Sequence, residues 1–95
     1  MFNGFVRFWM DADVRLDEVE LTLQLATFAA EGLFGIPRVA MEFQFVIDSA
    51  KRTFDLHADT EVGVTVAQIF AGLLLKEFGE GAFRLENIMT APLAS

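Results

Sequence analysis

Apolar and polar side chains alternate through the first ten residues. Phe2, Val6, Phe8 and Met10 fall on one side, and Phe5, Arg7 and Trp9 on the other. A period of two over 2–10 predicts a β-strand, and its high apolar content predicts a central one. Asp11 and Asp13 end it and offer N-cap oxygens. From 15 to 34 the period changes to that of a helix. Leu16, Val19, Leu23, Ala26, Ala30 and Leu33 form one apolar stripe, while Leu21, Leu25, Phe28 and Ala29 form a second. The polar side is narrow: Asp17, Glu20, Gln24, Thr27 and Glu31. One stripe suffices to seat a helix on a sheet, so the second needs a further partner. Gly32, Gly35 and Pro37 predict a C-cap followed by a stop.

Alternation resumes over 38–47, where Val39, Met41, Phe43, Phe45 and Ile47 share a face, and again over 51–58 with Phe54, Leu56 and Ala58. These runs predict a hairpin with Phe45 opposite Phe54, Phe43 opposite Leu56 and Met41 opposite Ala58. The other face then pairs Gln44 with Asp55 and Glu42 with His57. A slip of one residue would set each Phe against a polar side chain and is excluded; a slip of two keeps the alternation and stays open. Ser49-Ala50 is a poor two-residue hairpin turn, which favours Gly or Asn. A helix capped by Thr60 or Thr65 runs to Phe78, with Gly79 after it; between Val66 and Leu75 its only polar side chain is Gln68. A last strand spans 82–88, with Phe83 and Leu85 opposite Arg84 and Glu86, and 89–95 is a loosely held tail.

The order β-α-β-β-α-β within a single domain over 1–95 predicts a ferredoxin-like α+β sandwich, a four-stranded antiparallel sheet with two helices on one face. Val6, Phe8, Met41, Phe43, Phe45, Phe54, Leu56, Phe83 and Leu85 are expected on the helix-covered side. An α+β fold that exchanges its first strand between subunits is the rival.

Composition narrows the functions. Of 95 residues 54% are hydrophobic, with eleven Phe, no Cys and a formal charge of −7. No Cys means no disulfide, no thiolate nucleophile and no thiolate metal site. The acidity opposes phosphate backbones and anionic lipid, so nucleic acid and membrane are not expected partners. The opening residues read as a strand instead of a signal peptide. The longest charge-free run, 62–75, is shorter than the ~20 residues of a membrane span, so a soluble, cytoplasmic chain is expected.

Candidate chemistry is sparse. His57 is the sole imidazole. As a general base it would work with Glu42 or Asp55, and as a metal ligand with Asp55 or Asp59. The residue spacing favours a structural His beside Glu42, with no metal and no cofactor. Ser49 and Ser95 lie in a turn and the tail, unsuited to a triad. Gly79-Glu80-Gly81 follows a helix and reads as a C-cap, not a phosphate loop.

The apolar excess is more informative. A domain of this size buries only about two-thirds of the surface its chain exposes. The surplus predicts self-association as a homodimer or higher oligomer, with a small apolar ligand or a basic partner protein as further occupants. The interface is expected on the second helix, through Ala67, Ala71 and Leu75 with Leu74 beside them; the open sheet face, through Phe5 and Trp9, is the second choice. The expected function is a small acidic, non-catalytic, homo-oligomeric binding module. Its alternatives are an enzyme with a pocket between subunits, built on His57 with Glu42 or Asp55, and an acidic neutraliser of a basic toxin.

Overall fold

Each alternating run becomes a strand where the sequence places one, except at its middle. The computed structural model describes residues 4–89; Phe2 and the tail beyond Met89 lie outside them. In chain order the elements are β1 (Gly4–Met10), α1 (Leu16–Phe34), α2 (Ile36–Glu42), β2 (Phe45–Asp48), β3 (Thr53–His57), α3 (Glu61–Phe78), a 3-10 turn at Glu80–Ala82, and β4 (Phe83–Met89). The strands form one antiparallel sheet in the order β2-β3-β1-β4. Over the described residues the fold is therefore α+β, with an open four-stranded antiparallel sheet and three helices.

The third helix corrects the expected strand over 38–47. Pro37 does not act as the expected stop: it occupies the first turn of α2, where its fixed φ and missing N–H carry no penalty. Gly35, at φ 88°, ends α1 and lets the chain turn into α2 at once. The two helix axes break by 120° there. Val39 and Phe43 are both buried, four residues apart, and the Phe43 N–H donates to the Val39 carbonyl. Met41, expected on the covered sheet face, is instead 81% exposed on the outside of α2.

Losing those residues to a helix moves the hairpin register by two. Phe45 pairs with Leu56 and Ile47 with Phe54, around a four-residue loop, Ser49 to Arg52. Arg52 takes φ 57° to close it. The longer loop resolves the poor fit of Ser49-Ala50 to a two-residue turn.

The core lies between one sheet face and the helices. Phe8, Phe54 and Phe70 are fully buried and meet ring to ring, with Phe70 edge-on to Phe8 at 4.7 Å. Val6, Met10 and Leu56 extend the sheet side, and Val19, Leu23, Ala26, Val62, Val66 and Leu74 the helix side. α1 and α3 pack against each other. The buried Thr22 hydroxyl, near the start of α1, donates to Glu77 near the end of α3 at 2.7 Å. Thr60 is the α3 N-cap, accepting from the Gly63 N–H at 2.9 Å, while its hydroxyl donates to the Glu42 carbonyl. α1 has no such side-chain cap: its N-cap is Arg15, and the Asp11 carboxylate, expected at that cap, accepts from Asp13 N–H instead. No single helix among the described residues is long and apolar enough to cross a membrane.

Candidate functional site

The open sheet face is a polar ladder. Alternation along β1 sends Phe5, Arg7 and Trp9 to it, and the antiparallel register sets Arg7 between Asp55 and Glu86. Arg7 donates twice to Asp55, at 2.8 and 2.9 Å, with both groups partly buried. That hydrogen-bonded pair holds the Arg7 guanidinium above its ordinary pKa. The same guanidinium stacks over Phe5 and Trp9 at 5.5 and 5.6 Å. Trp9 donates its indole N–H to Glu86, and Arg84 covers its ring. Phe5 and Trp9, the second-choice interface, are thus each engaged within the chain itself.

His57 lies on the same face, stacked on Phe5 at 6.2 Å. The expected pairing with Glu42 does not form. Glu42 is the last residue of α2, and its carboxylate accepts from Arg38 at 3.0 Å. Glu42 and His57 do line one shallow depression, with Gln44, Asp59 and Thr60. Asp55 is held by Arg7, so neither carboxylate proposed as its partner is hydrogen-bonded to His57. Among the described residues no group of three or more His, Asp or Glu comes together as a metal site.

The expected α3 interface is also redrawn. Ala67 and Leu74 are buried and turned into the core, and Ala71 is half-buried. Only Leu75, 48% exposed, faces out as expected. α3 packs against the sheet, α1 and α2; Gln68, Gly72, Leu75, Lys76 and Glu77 stay exposed, and Ala67, Gln68 and Ala71 line a shallow depression beside Leu85 and Asn87 of β4.

The larger uncovered surface is on α1. Leu21, Leu25 and Phe28 are 60%, 55% and 71% exposed. They sit at i, i+4 and i+7, one continuous stripe on the outside of the helix layer. This is the second apolar stripe that the sequence displays; α3, where the interface is expected, is the more apolar helix but holds its Ala67 and Leu74 buried. Around the flank of α1 runs a groove of about 330 Å³ against the β2 edge. Leu23, Phe28, Phe45 and Ile47 make its apolar part, and the polar side of α1, from Glu20 to Glu31, makes its rim. Nothing in the alternation of 38–47 flagged this groove, since it exists only because α2 displaces β2.

Compared with known proteins, the chain matches no family model, no curated protein and no solved structure.

Proposed function

We propose that the chain is a non-catalytic, homo-oligomeric binding module that dimerises through the outer face of its helix layer. The observation that carries this is the Leu21–Leu25–Phe28 stripe, three large apolar side chains left in water on one helix face. Exposed apolar patches of this kind mark association surfaces, and burial against a second copy is the simplest symmetric way to cover one. Leu75 of α3 flanks the contact. The −7 charge of each copy opposes association, but screening limits that repulsion to a range of about 8 Å at physiological salt.

The same reading takes the fold as the ferredoxin-like, split βαβ arrangement, with α2 an insertion ahead of the second strand. Strand order β2-β3-β1-β4 with antiparallel neighbours supports it. It takes the cytoplasm as the compartment, which a chain without Cys suits. An enzyme built on His57 has less support, because Glu42 and Asp55 are each committed to an arginine.

Light scattering at micromolar concentration tests the proposal. The expected mass is about twice the 10.6 kDa chain. Leu25→Glu should give the monomer, Leu75→Glu should weaken the dimer, and Trp9→Glu should leave it intact. A wild-type monomer, or a dimer broken only by Trp9→Glu, would sink it.

A further inference from the structure

The groove between α1 and β2 joins three features that favour the same kind of occupant. The first is an open backbone edge. β2 is an outer strand of the sheet. The His57 N–H donates to the Gln44 carbonyl. In an antiparallel ladder hydrogen-bonded pairs alternate. Gln44, Val46 and Asp48 therefore turn their main chain toward β3, and Phe45 and Ile47 turn theirs outward, two N–H and two C=O groups at the rim of the groove.

The second feature is the apolar floor. Phe45 and Ile47 have their side chains on the helix side of the sheet, where with Leu23 and Phe28 they line the groove. A single apolar side chain from an added strand would fit against these four. The third is charge. Among the described residues, Glu20 and Glu31 are the only charged ones lining the groove. They lie eleven residues apart on α1, about 16 Å at the helical rise. Residues i−2 and i+2 of an extended strand share one face and lie about 13 Å apart. Two long basic side chains reach across the difference.

We infer that the groove binds an extended, basic segment of a partner protein as a fifth strand, antiparallel to β2. The segment has the pattern basic–x–apolar–x–basic, with its three groove-facing side chains meeting Glu20, the apolar floor and Glu31. Strand addition of this kind draws affinity from main-chain hydrogen bonds and specificity from alternate side chains. The inference rests on the binding-module reading; Phe28 belongs to both the groove and the dimer stripe, whereas Leu21 and Leu25 do not line the groove and so report on the dimer alone.

The probe is a fluorescein-labelled peptide, Thr-Arg-Thr-Ile-Thr-Arg-Thr, titrated with the full chain and read by anisotropy. Saturable binding is expected, weakening with added salt. In the proposed pairing the central Ile directs its N–H at the β2 edge, so N-methylation of that Ile should cost at least about tenfold in affinity. Glu20→Gln and Glu31→Gln should each cost roughly two- to fivefold, the range of a solvent-exposed ion pair. The amides of Phe45 and Ile47 should become protected from hydrogen exchange when the probe binds. Leu25→Glu should bind the probe as the wild type does, which separates this site from the dimer contact. Lack of saturable binding at millimolar chain, equal binding by the N-methylated probe, or Phe45 and Ile47 amides already protected by a second copy of the chain would each overturn the proposal.

Discussion

Replacing Gly63 by Ala sets two effects of opposite sign against each other. Gly63 is the third residue of α3. In an open helix Gly→Ala stabilises by up to about 1 kcal/mol, because Ala loses less backbone entropy. Here the new Cβ has nowhere to go. It would fall well inside contact distance of the His57 carbonyl oxygen, 3.1 Å from that carbonyl's carbon and 3.3 Å from Ala58 Cα. All three neighbours are backbone at the end of β3, so no side chain can swing aside. The start of α3 must move off the sheet. Forcing a methyl into a packed interior costs about 1–3 kcal/mol, and a rigid wall puts this case at the upper end. The same shift strains the Gly63 N–H bond to Thr60 and the Thr60 bond to the Glu42 carbonyl; a lost N-cap is worth about 1 kcal/mol. The net is a destabilisation of about 2–3 kcal/mol, or a melting temperature lower by roughly 8–24 °C for a domain of this size. Urea unfolding at fixed chain concentration measures it. Gly72→Ala, with nothing within 4 Å of the new Cβ, is the control and should stabilise by about 0.5–1 kcal/mol. If Gly63→Ala proves as stable as the wild type, the close approach of α3 to β3 is wrong.

Three further perturbations probe other parts of the structure. Phe70→Ala removes a fully buried ring wedged against Phe8 and Phe54 and should cost about 3–5 kcal/mol in the same unfolding assay. Arg52 donates from one guanidinium nitrogen to the carbonyls of Asp11 and Val14, tying the β2–β3 loop to the β1–α1 connection; Arg52→Ala should cost about 1.5–3 kcal/mol, with hydrogen exchange accelerated around residues 11–15. Asp17 is held below the usual carboxylate pKa by its hydrogen bonds from Arg15. The charged form is the one favoured in the fold, so this interaction is present above the ordinary carboxylate range and is lost as pH falls through the lowered value. A carboxyl NMR titration should show Asp17 protonating below the ordinary aspartate range, and Arg15→Gln should bring it back into that range.

How much of this was legible depends on which residues carried a single meaning. The alternation in β1 and β4 reads as strand alone, and the second apolar stripe of α1 reads as a face that needs a partner beyond the sheet. The run from Val39 to Ile47 carries two meanings. Its odd positions are apolar, which reads as a strand, yet Val39 and Phe43 are also four apart, which fits a helix turn. Pro37 does not decide between them, since Pro stops a helix from its end and starts one from its first turn, and its local sequence is the same in both cases. Once α2 forms, Glu42 leaves the sheet for Arg38, and the expected His57 partner goes with it. Ala67 and Leu74 were misplaced for a different reason. Periodicity gives the relative angle of positions around α3 but not how far α1 wraps it, and that wrapping is a tertiary fact. The groove needs a short β2 at the edge and an α1 flank left clear of it, and neither is written in the local pattern.

Association through the outer helix face is tested most directly by isotope-filtered NOEs on a mixture of labelled and unlabelled copies of the chain. Contacts between subunits are expected from the Leu21 and Leu25 methyls to the Phe28 ring, with Leu75 at the margin. Inter-subunit NOEs confined to Phe5 and Trp9, or none at concentrations where light scattering reports a dimer, would contradict it.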